Sequence, residues 1–295
     1  MTTSARGQLR SLKVLFSDDM VSDSWVRASP SDRKPKAVSE ALLRACWPIE
    51  LVAPEPTSIE DVCKVHEQGF VADVLQLRRP NGFGSLSASV ARSLLYTCGA
   101  CYGSALVALT EGISASLTSG FHHAGPRSAR GFCTFNGLMV TAVQLLDERR
   151  VERIAIIDCD YHYGDGTQAI IEARGLLDRV LHVSFGETFR NPEQASAYLD
   201  AVSGLRARLR AFEPDAILYQ AGADPHLDDP LGGLLTTEQM RERDRTLFSM
   251  ARELSIPLTW NLAGGYQIES DGSIPRVVAL HMNTFEEALR VWGLL

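Results

Sequence analysis

Asp158, Asp160 and His162 alternate at the end of an apolar run, Arg153-Ile154-Ala155-Ile156-Ile157. Residues two apart on a strand project to one face, so both carboxylates and the imidazole leave the strand together. Mixed oxygen and nitrogen donors in that arrangement suit a divalent metal. Gly164-Asp165-Gly166 follows at once, a sharp turn carrying one more carboxylate. Asp and His also end strands as simple turn formers. Three ionisable groups in register after a greasy strand weigh against that plainer reading.

Three further clusters carry chemistry. Gly120-Phe121-His122-His123-Ala124-Gly125-Pro126 follows the run Ile113 to Ser119. Either imidazole, if neutral, can take a proton from a metal-bound water, with a carboxylate on its other nitrogen fixing the tautomer. Asp158 and Asp165 are candidates for those partners. Tyr219-Gln220-Ala221-Gly222-Ala223-Asp224 again runs a strand into glycine and then a carboxylate. Asp224 would complete an Asp-His-Asp set, leaving a position for water and substrate. Asp228 and Asp229 follow, and their carboxylates fit a loop brace. In Leu262-Ala263-Gly264-Gly265-Tyr266 the glycines allow close backbone approach, and the phenol can donate to a developing oxyanion.

These clusters need a frame that brings strand ends together. Apolar runs alternate with helical patterns, which predicts an α/β fold: one mostly parallel sheet with helices on both faces. The expected strands are Leu12 to Ser17, Ile113 to Ser119, Arg153 to Asp160, Val180 to Phe185, Ala216 to Ala221 and Pro257 to Ala263. The expected helices are Val90 to Thr110, Gly137 to Glu148, Ala195 to Phe212 and Thr237 to Leu254. A last one is expected over Phe285 to Trp292, with Thr284 as N-cap and Glu287 completing a capping box. The polar stretch Val21 to Lys36 reads as a surface loop. With no repeat or linker, residues 1–295 are expected to form one domain. The clusters lie at C-terminal strand ends, where open parallel sheets bind ligands.

The whole chain narrows the class. Of its 295 residues 45% are hydrophobic and 22% charged, as in a globular protein, and its formal net charge is −7. That charge argues against general affinity for nucleic acid or anionic membrane. The basic stretch Arg206, Arg208 and Arg210 reads as a solvated helix face. No apolar run approaches the roughly 18 residues of a membrane span, and Met1 to Gly7 has no signal-peptide core. Six scattered cysteines fit reduced thiols and a cytoplasmic location. Cys98-x-x-Cys101 has no second pair nearby and reads as helix core.

In combination and order, Gly120 to Ala124, Gly131-Phe132-Cys133-Thr134-Phe135-Asn136, Asp158 to Gln168, Gly222-Ala223-Asp224 and Gly264-Gly265-Tyr266 resemble the histone deacetylase superfamily, with its arginase-like α/β fold. Val65-His66-Glu67 and Gly99 to Ser104 are weaker upstream matches. The resemblance implies zinc, or alternatively Fe2+, on Asp160, His162 and Asp224. It makes His122 and His123 the general base and acid, braced by Asp158 and Asp165, and Tyr266 the oxyanion donor. Gly131 and Phe132 would line an acyl-chain tunnel with Leu231 near its floor or rim, and K+ would sit by Asp158 and Ser184. The implied reaction removes acetyl or another short acyl group from an amine such as a lysine side chain.

Family members that act on peptides carry an acidic residue on an early loop, where this sequence has Asn81-Gly82-Phe83-Gly84-Ser85. The usual Pro-Gly-Thr-Gly turn is replaced by Gly186 to Pro192, leaving Phe189 as a guess for the second tunnel wall. An acetylpolyamine or other small-molecule deacetylase is therefore an alternative substrate reading. A two-manganese ureohydrolase is disfavoured by the His pair and Gly-Gly-Tyr. A non-catalytic acyl-lysine binding module would be expected to have lost a ligand or Tyr266. Partners are otherwise open, including an oligomer.

Overall fold

Seven short runs form the strands β1 (Leu12–Leu15), β2 (Ile49–Val52), β3 (Ile113–Ser116), β4 (Ile154–Asp158), β5 (Val180–Ser184), β6 (Ala216–Gly222) and β7 (Leu258–Ala263). In the computed structural model, which describes residues 10–24 and 26–295, they make one sheet ordered β2-β1-β3-β7-β6-β4-β5. Every pairing is parallel. A strand covered on both faces reads as a continuous apolar run, which is why β3, β4, β6 and β7 are wholly buried. β2 escaped the sequence reading because its four residues include the exposed Glu50 on a sheet edge.

Alternation along the strands feeds two hydrophobic layers. On β4, Ala155 and Ile157 pack with α1 (Lys34–Ala45), α7 (Ala195–Phe212), α8 (Thr237–Leu254) and α9 (Pro275–Trp292). Ile154 and Ile156 turn to the other face, covered by α2 (Ile59–Cys63), α3 (Gln68–Leu75), α4 (Ala88–Glu111), α5 (Gly137–Asp147) and α6 (Asp165–Ala173). The α/β architecture with helices on both faces is therefore as expected.

Several local expectations are corrected. The last helix begins at Pro275, whose fixed φ suits a first turn, so Thr284 is no cap. Thr284 lies in mid-helix, buried, and its hydroxyl donates to Asp244 at 2.6 Å. Val21 to Lys36 is not a plain surface loop: Ser24, Ser29 and Lys34 are fully buried, and Lys34 starts α1. Its polar residues can be buried because they satisfy one another, as where Ser24 donates from both N and Oγ to Asp32 Oδ2. Trp25 and Met1 to Gly7 lie outside the described residues. α4 is longer and greasier than expected, with a mean hydropathy of 1.3 over 18 residues, enough by composition to cross a bilayer. Half of that window is buried, and α4 packs against α5, β3 and β7. Cys98 and Cys101 are free thiols in its buried face, and burial raises the pKa of both.

Candidate metal centre and active site

β4 and β6 end side by side, and the carboxylates that follow them converge. Gly222 lacks a side chain where one would be impossible, since a Cβ there would lie 2.5 Å from Asp160 Cα. Asp160, His162 and Asp224 then present one ligand atom each, all within 4.8 Å of one another. His162 Nδ1 lies 3.1 Å from Asp160 Oδ1 and 2.9 Å from Asp224 Oδ2. Backbone donors orient both acids: His162 N to Asp160 Oδ1 at 2.9 Å and Tyr161 N to Asp224 Oδ1 at 3.1 Å. Asp229 is not in this group. It turns instead to Tyr266, accepting its backbone N–H at 2.7 Å, and also accepts from Leu231 N at 3.0 Å.

Burial and mutual charge set the protonation of the triad. Burial pushes Asp224 up to about 8, and Asp160 beside it adds to the shift. On Asp160 burial acts the same way, but His122 and His162 win and its pKa is lowered. Burial would strip His162 of its proton, yet the two carboxylates raise it to about 10. Two buried acids and one half-buried imidazole form a group that could hold a metal ion.

The imidazole pair sits across from this group. A left-handed turn at Gly120 and Phe121 (φ 97° and 87°) swings the chain so that the rings of His122 and His123 lie 4.1 Å apart. A positive φ at phenylalanine is strained, and it falls directly before the pair. His122 Nδ1 meets Asp158 Oδ2 at 2.8 Å, and His123 Nδ1 meets Asp165 Oδ1 at 2.7 Å. A carboxylate can only accept, so both Nδ1 atoms carry hydrogen. The two rings then diverge. Burial would lower His122, but Asp158 and Asp160 raise it to about 9. Burial and the neighbouring His122 lower His123 to about 3, leaving its Nε2 bare. The His123 ring lies 5.9 Å from His162.

The aromatic wall follows the same logic. Gly131 is compelled, since a Cβ there would lie 2.5 Å from His123 Cδ2. Phe132 adopts φ 62° and donates its N–H to Gly82 O at 3.0 Å. Its ring stands 5.7 Å from Tyr266 on one side and 5.7 Å from Phe83 on the other. Tyr266 in turn lies 6.4 Å from the His162 ring. Leu231 is 46% exposed and so is no buried floor residue. Phe189 turns to the core instead, partly buried, its ring 5.4 Å from Tyr198. Tyr161 stands beside the ligands instead, its ring 5.5 Å from His162 and capped by Arg190. Ser184 Oγ lies 3.4 Å from Asp158 Oδ2, at the expected monovalent-ion position.

Some contributors were missed. Arg130 pairs with Asp165, and Lys34, wholly buried, donates to Gly264 O just before Tyr266. His66, noted only as a weak match, bridges Gly125 O at 2.8 Å and the Asn136 N–H at 2.9 Å, steadying the loop after the His pair. A lysine and arginines in polar stretches give no sequence signal of this kind. Cys159 points into the core as strand alternation requires.

Comparison with known proteins agrees with this architecture. The chain is 29% identical to a probable deacetylase of Archaeoglobus fulgidus, over 77% of this chain and 71% of that protein. It is 29% identical to histone deacetylase 2 of Arabidopsis thaliana, over 56% of this chain and 47% of that one. The crystal structure of acetylpolyamine aminohydrolase from Burkholderia pseudomallei superposes with a TM-score of 0.76, covering 95% and 99% of the two chains at 19% identity, a likeness of fold. The sequence model of the histone deacetylase domain matches residues 30–198 and 188–284, a span that includes every cluster above, and the chain belongs to that family.

Proposed function

We infer that the protein is a metal-dependent deacetylase that removes acetyl or another short acyl group from an amine, with the acylated lysine side chain as the preferred class. One observation carries this reading: the Asp160–His162–Asp224 group opens onto a histidine pair whose members are braced by separate carboxylates. A zinc ion bound there, or iron in its place, would polarise the acyl carbonyl and acidify a water. His123, neutral with Nε2 free, is placed to take the proton of an attacking water. His122, kept protonated by Asp158, stabilises the growing negative charge. The phenol of Tyr266 donates to the oxyanion. As the C–N bond breaks, the proton on His123 passes to the departing amine. No covalent bond to the protein is formed.

Phe132 supplies a flat apolar flank for the acyl-bearing chain. The preference for lysine over a polyamine rests on the guanidinium of Arg190 over Tyr161, beside His162, since Arg130 is neutralised by Asp165. A fixed cation beside the ligands repels a second ammonium on the substrate. Asp158 and Ser184 are the choice for a bound K+. The whole of residues 1–295 is read as the one catalytic domain, and its free, mostly buried thiols suit the cytoplasm.

The test is hydrolysis of acyl-lysine peptides and acetylated polyamines by zinc-loaded protein, with a chelated control. Chelator-sensitive cleavage of the peptides is expected. Cleavage of polyamines alone would replace the substrate assignment, and no hydrolysis of any substrate would favour a binding module.

A further inference from the structure

α8 buries an arginine and an aspartate where its apolar stripe should continue. Arg243 and Asp244 are 0% and 1% exposed, between Met240 and Leu247 on the face that packs against the sheet. Asp244 is saturated: Oδ1 accepts from Arg243 Nε at 2.8 Å and from the Tyr219 hydroxyl, and Oδ2 from Thr284 Oγ1 at 2.6 Å. The arginine then reaches past its partner. Nη1 donates to Gly222 O at 2.8 Å and lies 3.4 Å from Cys159 O, while Nη2 is buried without a partner.

Those two carbonyls are at the seam from which the metal ligands depart. The β4–β6 ladder ends at Asp158 opposite Gln220, with one more bond from Cys159 N to Gln220 O. Cys159 directly precedes Asp160, and Gly222 stands two residues before Asp224. Beyond the ladder these buried carbonyls need donors, and Arg243 Nη1 faces both while Nε of the same rigid group is anchored on Asp244. Lysine, a single point donor, cannot hold Asp244 and reach both carbonyls at once.

We propose that Arg243 is a positioning residue of the metal centre, fixing the separation of Asp160 and Asp224 from behind. This rests on the reading of Asp160, His162 and Asp224 as metal ligands. Asp244 and Thr284 hold the guanidinium in place, so α8 and α9 both contribute to metal affinity without touching the ion.

The experiment measures zinc affinity by competition with a chromophoric chelator, and the visible spectrum of the Co2+-loaded protein, in the full-length chain. Arg243→Met is expected to weaken zinc binding at least tenfold and to alter the Co2+ bands, with Arg243→Lys recovering only part of the affinity. Leu247→Ala, on the same buried face, is expected to lower the melting temperature while leaving zinc affinity within twofold. Should Arg243→Met fail to fold, Arg243→Met with Asp244→Asn, which leaves no unpaired charge, carries the same expectation. Unchanged affinity and spectrum in a folded Arg243 variant would overturn the proposal, as would an equal loss in Leu247→Ala. A parent protein that takes up no zinc would instead overturn the ligand assignment beneath it.

Discussion

His122 and His123 share a backbone bond yet are driven to opposite protonation states, raised to about 9 and lowered to about 3. The base is therefore available far into acid, while the rate should fall as pH rises through about 9, where His122 gives up its proton. A pH profile of kcat checks this: His122→Asn should be slower and lack the alkaline limb, and a limb that persists belongs to another group. Tyr266→Phe should lower kcat roughly 100- to 1000-fold, the usual loss of one oxyanion donor, with zinc content unchanged by metal analysis. Because the two acids hold a proton on His162, zinc uptake should release protons and tighten as pH rises. Isothermal titration in buffers of different ionisation enthalpy reads that proton count directly.

At the scale of elements, the strand ends were legible because burial on both faces leaves an apolar run with its polar residues at the C-terminal tip. β4 closes at Asp158, two residues short of the expected end, so Asp160 and His162 lie on the bend beyond it, where strand alternation no longer sets their facing, while Cys159 turns into the core. The same rule was blind to β2, where four residues at an edge carry a glutamate, and to α1, which begins inside a polar stretch. Lys34 and Asp32 look like solvent residues because sequence shows charge and not the buried hydrogen-bond partners, Gly264 O and Ser24, that meet it. α9 was cut short for a related reason: Thr284 resembles a cap only until Asp244, forty residues upstream in sequence, takes its hydroxyl. Gly222→Ala tests how tightly the strand ends are joined. Its Cβ would press on Asp160 Cα at 2.5 Å, so metal binding should be lost along with part of the stability, measured by equilibrium dialysis and denaturant unfolding. Near wild-type zinc affinity in that variant would show that the seam can relax.

Over the whole molecule, two hydrophobic layers clamp the sheet, and the one beneath α8 and α9 centres on Phe248. Its ring lies 5.1 Å from Trp260 and 6.0 Å from Tyr219. Phe248→Ala should cost about 3–5 kcal/mol by denaturant unfolding, as for other large buried aromatics. A loss below about 1 kcal/mol would mean the layer collapses into the space. The order of the strands carries a further consequence. β7 comes last of the seven in sequence yet lies between β3 and β6, so the ribbons β2-β1-β3 and β6-β4-β5 are joined only through it. The histidines hang from one ribbon and the carboxylates from the other. A growing or refolding chain therefore has its histidines and carboxylates before it has a site, and two open sheet edges in the interval. Competence should arrive in a single late step, when residues 258–263 slot into the gap, and any delay there leaves the chain prone to stick to its neighbours rather than partly active.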